Sequence, residues 1–231
     1  MVMFTKQNKI IDLVEANYHL LPVINRFGIN LGNKDKSLEK ICIAQNIHPD
    51  FLLLIINIFH DDEYFPETEL KSFSPLLIIE YLEKTHQYYI DYIIPKLESL
   101  LLQLIESNKT EIHQLEIIEQ FWLKYKEELL LHLNDEEQVV FPYIVFLVKN
   151  NRKNAQYKIR TFEKEHSNVD IKLNDLKNLI VKYIKPVYDN NICNEFLITL
   201  FRFEKDIKDH TRIEDKILIP QVIELEKQLN E

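Results

Sequence analysis

Only two glycines, Gly28 and Gly32, occur in 231 residues. Phosphate-cradling loops, dinucleotide fingerprints and hairpin-rich β folds all consume glycine, because their backbones need positive φ or close approach to a ligand. Those classes are excluded. Cysteine is as scarce: Cys42 and Cys193 stand far apart and form no CxxC, so neither a disulfide framework nor a thiolate zinc site is indicated, and a reducing cytoplasm is the simplest compartment. Basic residues are outnumbered, 28 Lys+Arg against 37 Asp+Glu, for a net charge of −9. That balance argues against a nucleic-acid partner, whose phosphates are met by Lys and Arg. Long apolar runs are missing too. The longest uninterrupted one, Val139 to Val148, is too short to span a bilayer, and the first nineteen residues lack a signal-peptide core, so no membrane association is expected.

What the chain does contain is ordinary globular material, 46% apolar and 28% charged, enough for one large domain or a small one joined to a medium one. Eight prolines punctuate it. Up to about Phe59 the apolar patterns are short and compatible with brief helices, with Ser37 as an N-cap and Pro49 in a first helical turn. The acidic, aperiodic stretch from His60 to Ser74 suggests a boundary at about residue 72, giving a small helical domain over 1–72 and a second domain over 73–231. Beyond Ser74-Pro75, read as N-cap and first helical position, four long apolar-periodic segments follow, centred near His86, His132, His166 and His210. Short polar breaks between them predict an all-α fold, an antiparallel up-down four-helix bundle. Pro95, Pro142 and Pro220 fall late in three segments and should kink or end them.

The bundle region contains an internal repeat. EKTH (Glu83 to His86) recurs as EKEH (Glu163 to His166), and HLNDEEQVVFP (His132 to Pro142) recurs as HTRIEDKILIP (His210 to Pro220). Each half has a lone histidine on one helix and His-x3-Glu on the next, with Pro ten residues after the second His. Positions i and i+4 of a helix lie one above the other, so His132 with Glu136, and His210 with Glu214, form two chelating pairs. Their phase points inward: His86 shares its face with Ile79, Leu82, Ile90, Ile93 and Leu97, His166 with Ile159, Phe162, Val169 and Leu173, and His210 with Phe203, Ile207, Ile217 and Leu218.

Two carboxylates among apolar side chains need compensation, and no Lys or Arg recurs on the same faces in both halves. A metal pair is the natural counterion. The expected donors are two His per metal, Glu136 and Glu214 as bridges and a solvent-derived oxo or hydroxo bridge, leaving one position open. Imidazole suits Zn, Cu, Fe and Ni, whereas carboxylate-only clusters suit Mg, Ca or Mn. This histidine-rich set fits two iron ions binding O2 or NO better than a carboxylate-rich ferroxidase.

Secondary candidates surround these six residues. Glu128, four before His132, and Glu165, next to His166, are placed to orient an imidazole or relay protons, with a solvated face as the alternative for Glu165 and the preferred reading for Glu137. Tyr89, three after His86, could donate to a bridging oxygen or be plain core. His19, His48, His60 and His113 fall outside the repeat and are read as structural.

At His86, HLNDEEQVVFP, EKEH and HTRIEDKILIP the chain resembles the hemerythrin-like di-iron proteins, and among them the repair-of-iron-centres family (RIC, the ScdA/YtfE type), which uses His-x3-Glu in both halves. RFGINLGNKDKSLEKICIAQNI is similar to that family's small N-terminal domain, but GINLGNKDKS lacks the Cys-Cys pair of its glycine-rich turn. The resemblance implies a cytoplasmic non-haem di-iron protein, acting on NO or O2, that repairs or protects the iron-sulfur clusters of client proteins under nitrosative or oxidative stress. It would work by NO binding and reduction, an enzyme of NO-reductase type, or by iron donation. An O2 or NO carrier or sensor without turnover is the alternative. A metal-responsive helix-turn-helix regulator is opposed by charge, since up to Ser74 seven Lys+Arg face ten acids.

Overall fold

Capping and proline placement set the short N-terminal helices α1 (Ile10–Ala16), α2 (Leu20–Arg26), α3 (Leu38–Gln45), α4 (Pro49–His60) and α5 (Glu67–Leu70). The Ser37 hydroxyl accepts from the Lys40 N–H at 3.4 Å and opens α3, while Pro49 occupies the first turn of α4 behind His48, whose Nδ1 accepts from the Phe51 N–H. Gly28 (φ 76°) and Gly32 (φ 90°) turn the chain between α2 and α3. An added Cβ would meet nothing within 4 Å at either, so glycine is needed for backbone conformation rather than for space.

The computed structural model describes residues 2–107, 112–152, 159, 169–183 and 188–229. Among these the fold is all-α, with one isolated antiparallel bridge between Lys9 and Ser37. Ser74 caps α6 (Pro75–Tyr88), accepting from the Leu76 N–H at 3.3 Å. The remaining elements are π1 (Tyr89–Ile93), α7 (Ile94–Ser107), α8 (Ile112–Asp135), π2 (Glu136–Val140), α9 (Phe141–Asn150), α10 (Val169–Tyr183), α11 (Asn190–Ile213), π3 (Glu214–Leu218) and α12 (Ile219–Gln228). Helices α7, α8, α10 and α11 close a four-sided bundle, each packed on two neighbours.

The three prolines do not end their helices. Each is preceded by a π turn beginning six residues earlier, closed by N–H to O bonds from Ile94 to Tyr89, Phe141 to Glu136 and Ile219 to Glu214. Proline has no N–H and its ring crowds the carbonyl four residues back; widening the preceding turn relieves both and keeps the helix running. The extra residue also shifts the helical phase. Ile90, placed inward by α-helical spacing, is 40% exposed, and Tyr89 is buried instead.

Two apolar clusters fill the molecule. One joins Leu13, Leu52 and Ile56 of the N-terminal helices to Ile79, Ile144, Ile217 and Val222. The other joins Leu97, Trp122, Leu173 and Phe196 in the far half of the bundle. The helices α1 to α4 thus share a core with the bundle, and the seam near residue 72 is pinned. Gln221 Nε2 donates to the carbonyls of Lys71 (2.8 Å) and Phe73 (3.0 Å), and Arg212 donates to that of Asp62 (3.0 Å).

Candidate metal centre

A polar layer lies where the two clusters meet. Along α6, His86 follows Leu82 of the first cluster and precedes Tyr89 of the second; Glu136 stands between Leu133 and Val140, and His210 between Ile207 and Ile213. His86, Glu136, His210 and Glu214 are buried, and one donor atom from each lies within 4.8 Å of all the others. Glu136 and Glu214 are the first residues of π2 and π3, so the proline-induced turns set the carboxylates that the repeat singles out.

The chelating pairs have the expected one-turn contact, with His132 Nε2 3.3 Å from Glu136 Oε1 and His210 Nδ1 3.2 Å from Glu214 Oε2. His86 Nε2 sits 2.9 Å from His210 Nε2 and 3.3 Å from Glu136 Oε2. On its other side Nδ1 meets Glu137 Oε1 at 3.1 Å. Burial alone would lower the His86 pKa, but the hydrogen bonds to Glu136 and Glu137 outweigh it and push it up to about 9, while the contact with His86 draws Glu137 down. Without a metal, His86 therefore holds a proton in the site, and a cation entering would displace it.

Of the other predicted residues, Glu128 pairs with Lys172 across to α10. The Tyr89 hydroxyl donates to Asp206 Oδ1 at 2.6 Å, and its ring packs 5.8 Å from that of His210. His166 and Glu165 lie outside the described residues, as does the side chain of His113. His48 caps α4, His60 packs on Phe4 at 4.5 Å, and His19 lines a surface groove.

Two participants were not given this role from the sequence. Glu137, read as a solvated face, touches His86; its signal is that it directly follows Glu136 at the start of a π turn. Asp206 stands four residues before His210, as Glu128 stands before His132, and joins Arg26 (2.5 Å) to Tyr89.

Residues 77–222 match the family model described as Hemerythrin HHE cation binding domain, a span that contains every one of the proposed ligands. The chain belongs to the hemerythrin HHE family. No curated protein matches it. In this HHE domain the donor set itself fits a transition metal: two imidazoles and two carboxylates converge, buried, with one donor atom of each within 4.8 Å of the others. Hard cations such as Mg or Ca would ask for oxygen alone. No helix among the described residues is long and apolar enough to cross a membrane.

Proposed function

We propose that this HHE protein is a cytoplasmic di-iron protein that protects or repairs iron-sulfur clusters under nitrosative or oxidative stress. The observation that supports it best is the buried cluster of His86, Glu136, His210 and Glu214, with His132 one turn from Glu136. His86, His132, His166 and His210 would be terminal ligands, with Glu136 and Glu214 as bridges. Bound there, two irons would supply electrons and an open position for a diatomic ligand such as NO or O2. The chain's own part is positional. Glu137 holds the Nδ1 proton of His86 and aims Nε2 inward, and the apolar clusters on either side exclude water. Reactivation of an NO-damaged iron-sulfur dehydratase by the iron-loaded protein, and not by the metal-free one, is the test; equal recovery without iron would refute the role.

A second reading is an NO- or O2-binding module without turnover. It is favoured by the N-terminal thiol: Cys42 is buried in α3, and burial raises its pKa to about 11, so no exposed thiolate stands at the glycine turn. Mixing the reduced protein with NO under anaerobic conditions separates the readings. Nitrous oxide marks an enzyme, and NO uptake without it marks a carrier or sensor.

A further inference from the structure

Away from the metal centre, α2, α6, π1 and α11 enclose a groove of about 1210 Å³. In a chain of net charge −9 its lining is reversed in sign, with Arg26, Lys84, Lys96, Arg202 and Lys205 against Asp91 and Asp206. Several of these charges are already matched: Arg26 with Asp206, Lys84 with Glu80 and Lys205 with Asp62. Lys96 and Arg202 have no carboxylate partner among the described residues. They rest over rings instead, Lys96 5.9 Å from Tyr92 and Arg202 5.2 Å from Tyr18. Burial, then the nearby Arg202 and Lys205, lower the His19 pKa, so the groove carries a positive potential beside a neutral imidazole.

The walls are aromatic and stand in solvent: Tyr18 is 55%, Tyr92 51% and Phe201 48% exposed. Large exposed rings gathered around one concavity mark a binding surface. Its lining includes two buried polar side chains with unused hydrogen-bonding capacity, the Thr199 hydroxyl and the Arg26 Nε–H.

We propose that this groove binds a small organic anion carrying a planar ring, of about nucleotide size. The anion answers Lys96 and Arg202, and the ring answers the exposed tyrosines and Phe201 by stacking. The volume slightly exceeds the range of roughly 300–1,000 Å³ usual for small-molecule pockets, which leaves room for both parts of such a ligand. Two copies of this chain, each of net charge −9, repel one another as whole molecules, and a nucleic-acid strand would need cations beyond the groove. The inference does not depend on the metal: none of the proposed ligands lines the groove, which meets the candidate centre through Asp206 and Phe203, both against Tyr89.

Calorimetric titration of the full chain tests it, with flavin mononucleotide and phenyl phosphate as ring-bearing anions, riboflavin as the ring without charge, and inorganic phosphate as the anion without the ring. Saturable binding of at least one ring-bearing anion is expected, at least tenfold tighter than riboflavin or phosphate and weakened by salt. The surface variant K96E/R202E should lose that binding at least tenfold while keeping its helical circular dichroism and its iron loading. Binding equal in the variant, riboflavin as tight as flavin mononucleotide, or no saturable binding of either anion would overturn the proposal. So would a wild-type dimer, or affinity for an acidic peptide alone, abolished by the same substitutions.

Discussion

His86 Nε2 and His210 Nε2 face each other across 2.9 Å, brought together from helices 124 positions apart. Two imidazole nitrogens at that distance share one proton. On their far sides, His86 Nδ1 meets Glu137 Oε1 at 3.1 Å and His210 Nδ1 lies 3.2 Å from Glu214 Oε2. The pair lies in a buried His/Glu cluster that could hold a metal ion, in a layer between two apolar clusters.

Glu137 therefore controls the aim of His86. Glu137→Gln keeps the bond geometry and removes the charge, and it should weaken iron retention about 10- to 100-fold, read as faster loss to a chelator. Its unfolding midpoint without metal should move little, because the Glu137 side chain is partly exposed.

Arg26 ties the N-terminal helices to the bundle. Its guanidinium is buried, pairs with Asp206 at 2.5 Å and lies 4.6 Å over the Tyr88 ring. Arg26→Met should cost about 3–5 kcal/mol in urea unfolding, because Asp206 is left without its cation. The double variant R26M/D206N should recover most of that loss, since an Asn oxygen still accepts from Tyr89. Equal losses in the single and double variants would show that packing, not charge, is what Arg26 supplies.

Asp209 supplies a pH dependence. Burial raises its carboxyl to about 7, Lys205 and Arg212 offsetting only part. A carboxyl whose folded pKa lies above its unfolded value contributes stability at low pH that is lost as pH rises through the folded value. Wild type should thus lose stability relative to Asp209→Asn between about pH 4 and pH 7. The variant should be more stable at pH 8, on the order of 2 kcal/mol, and equal to wild type near pH 4 by thermal unfolding.

Much of this molecule is legible in its sequence because the determinants are local. Ser37, Ser74 and Pro49 mark helix starts by capping chemistry, and His-x3-Glu puts two donors on one face whatever the tertiary context. Other features require the chain to be folded. The prolines at 95, 142 and 220 announce an interruption, but whether a helix breaks or widens into a π turn depends on the packing that keeps both halves in line. That choice turned Ile90 outward and Tyr89 inward. The merging of the N-terminal helices into the bundle's core, and the Arg26 to Asp206 contact across 180 positions, are long-range events that composition near residue 72 does not encode.

Iron stoichiometry decides whether the repeat holds a metal pair. Anaerobic loading with ferrous iron, removal of excess and elemental analysis test it most directly, alongside Glu136→Gln and Glu214→Gln. About two irons per wild-type chain are expected, with a ligand-to-iron charge-transfer band, and clear loss of both in either variant whose metal-free helicity is unchanged. Iron-free wild-type protein after loading, or iron retained undiminished in both variants, would contradict it.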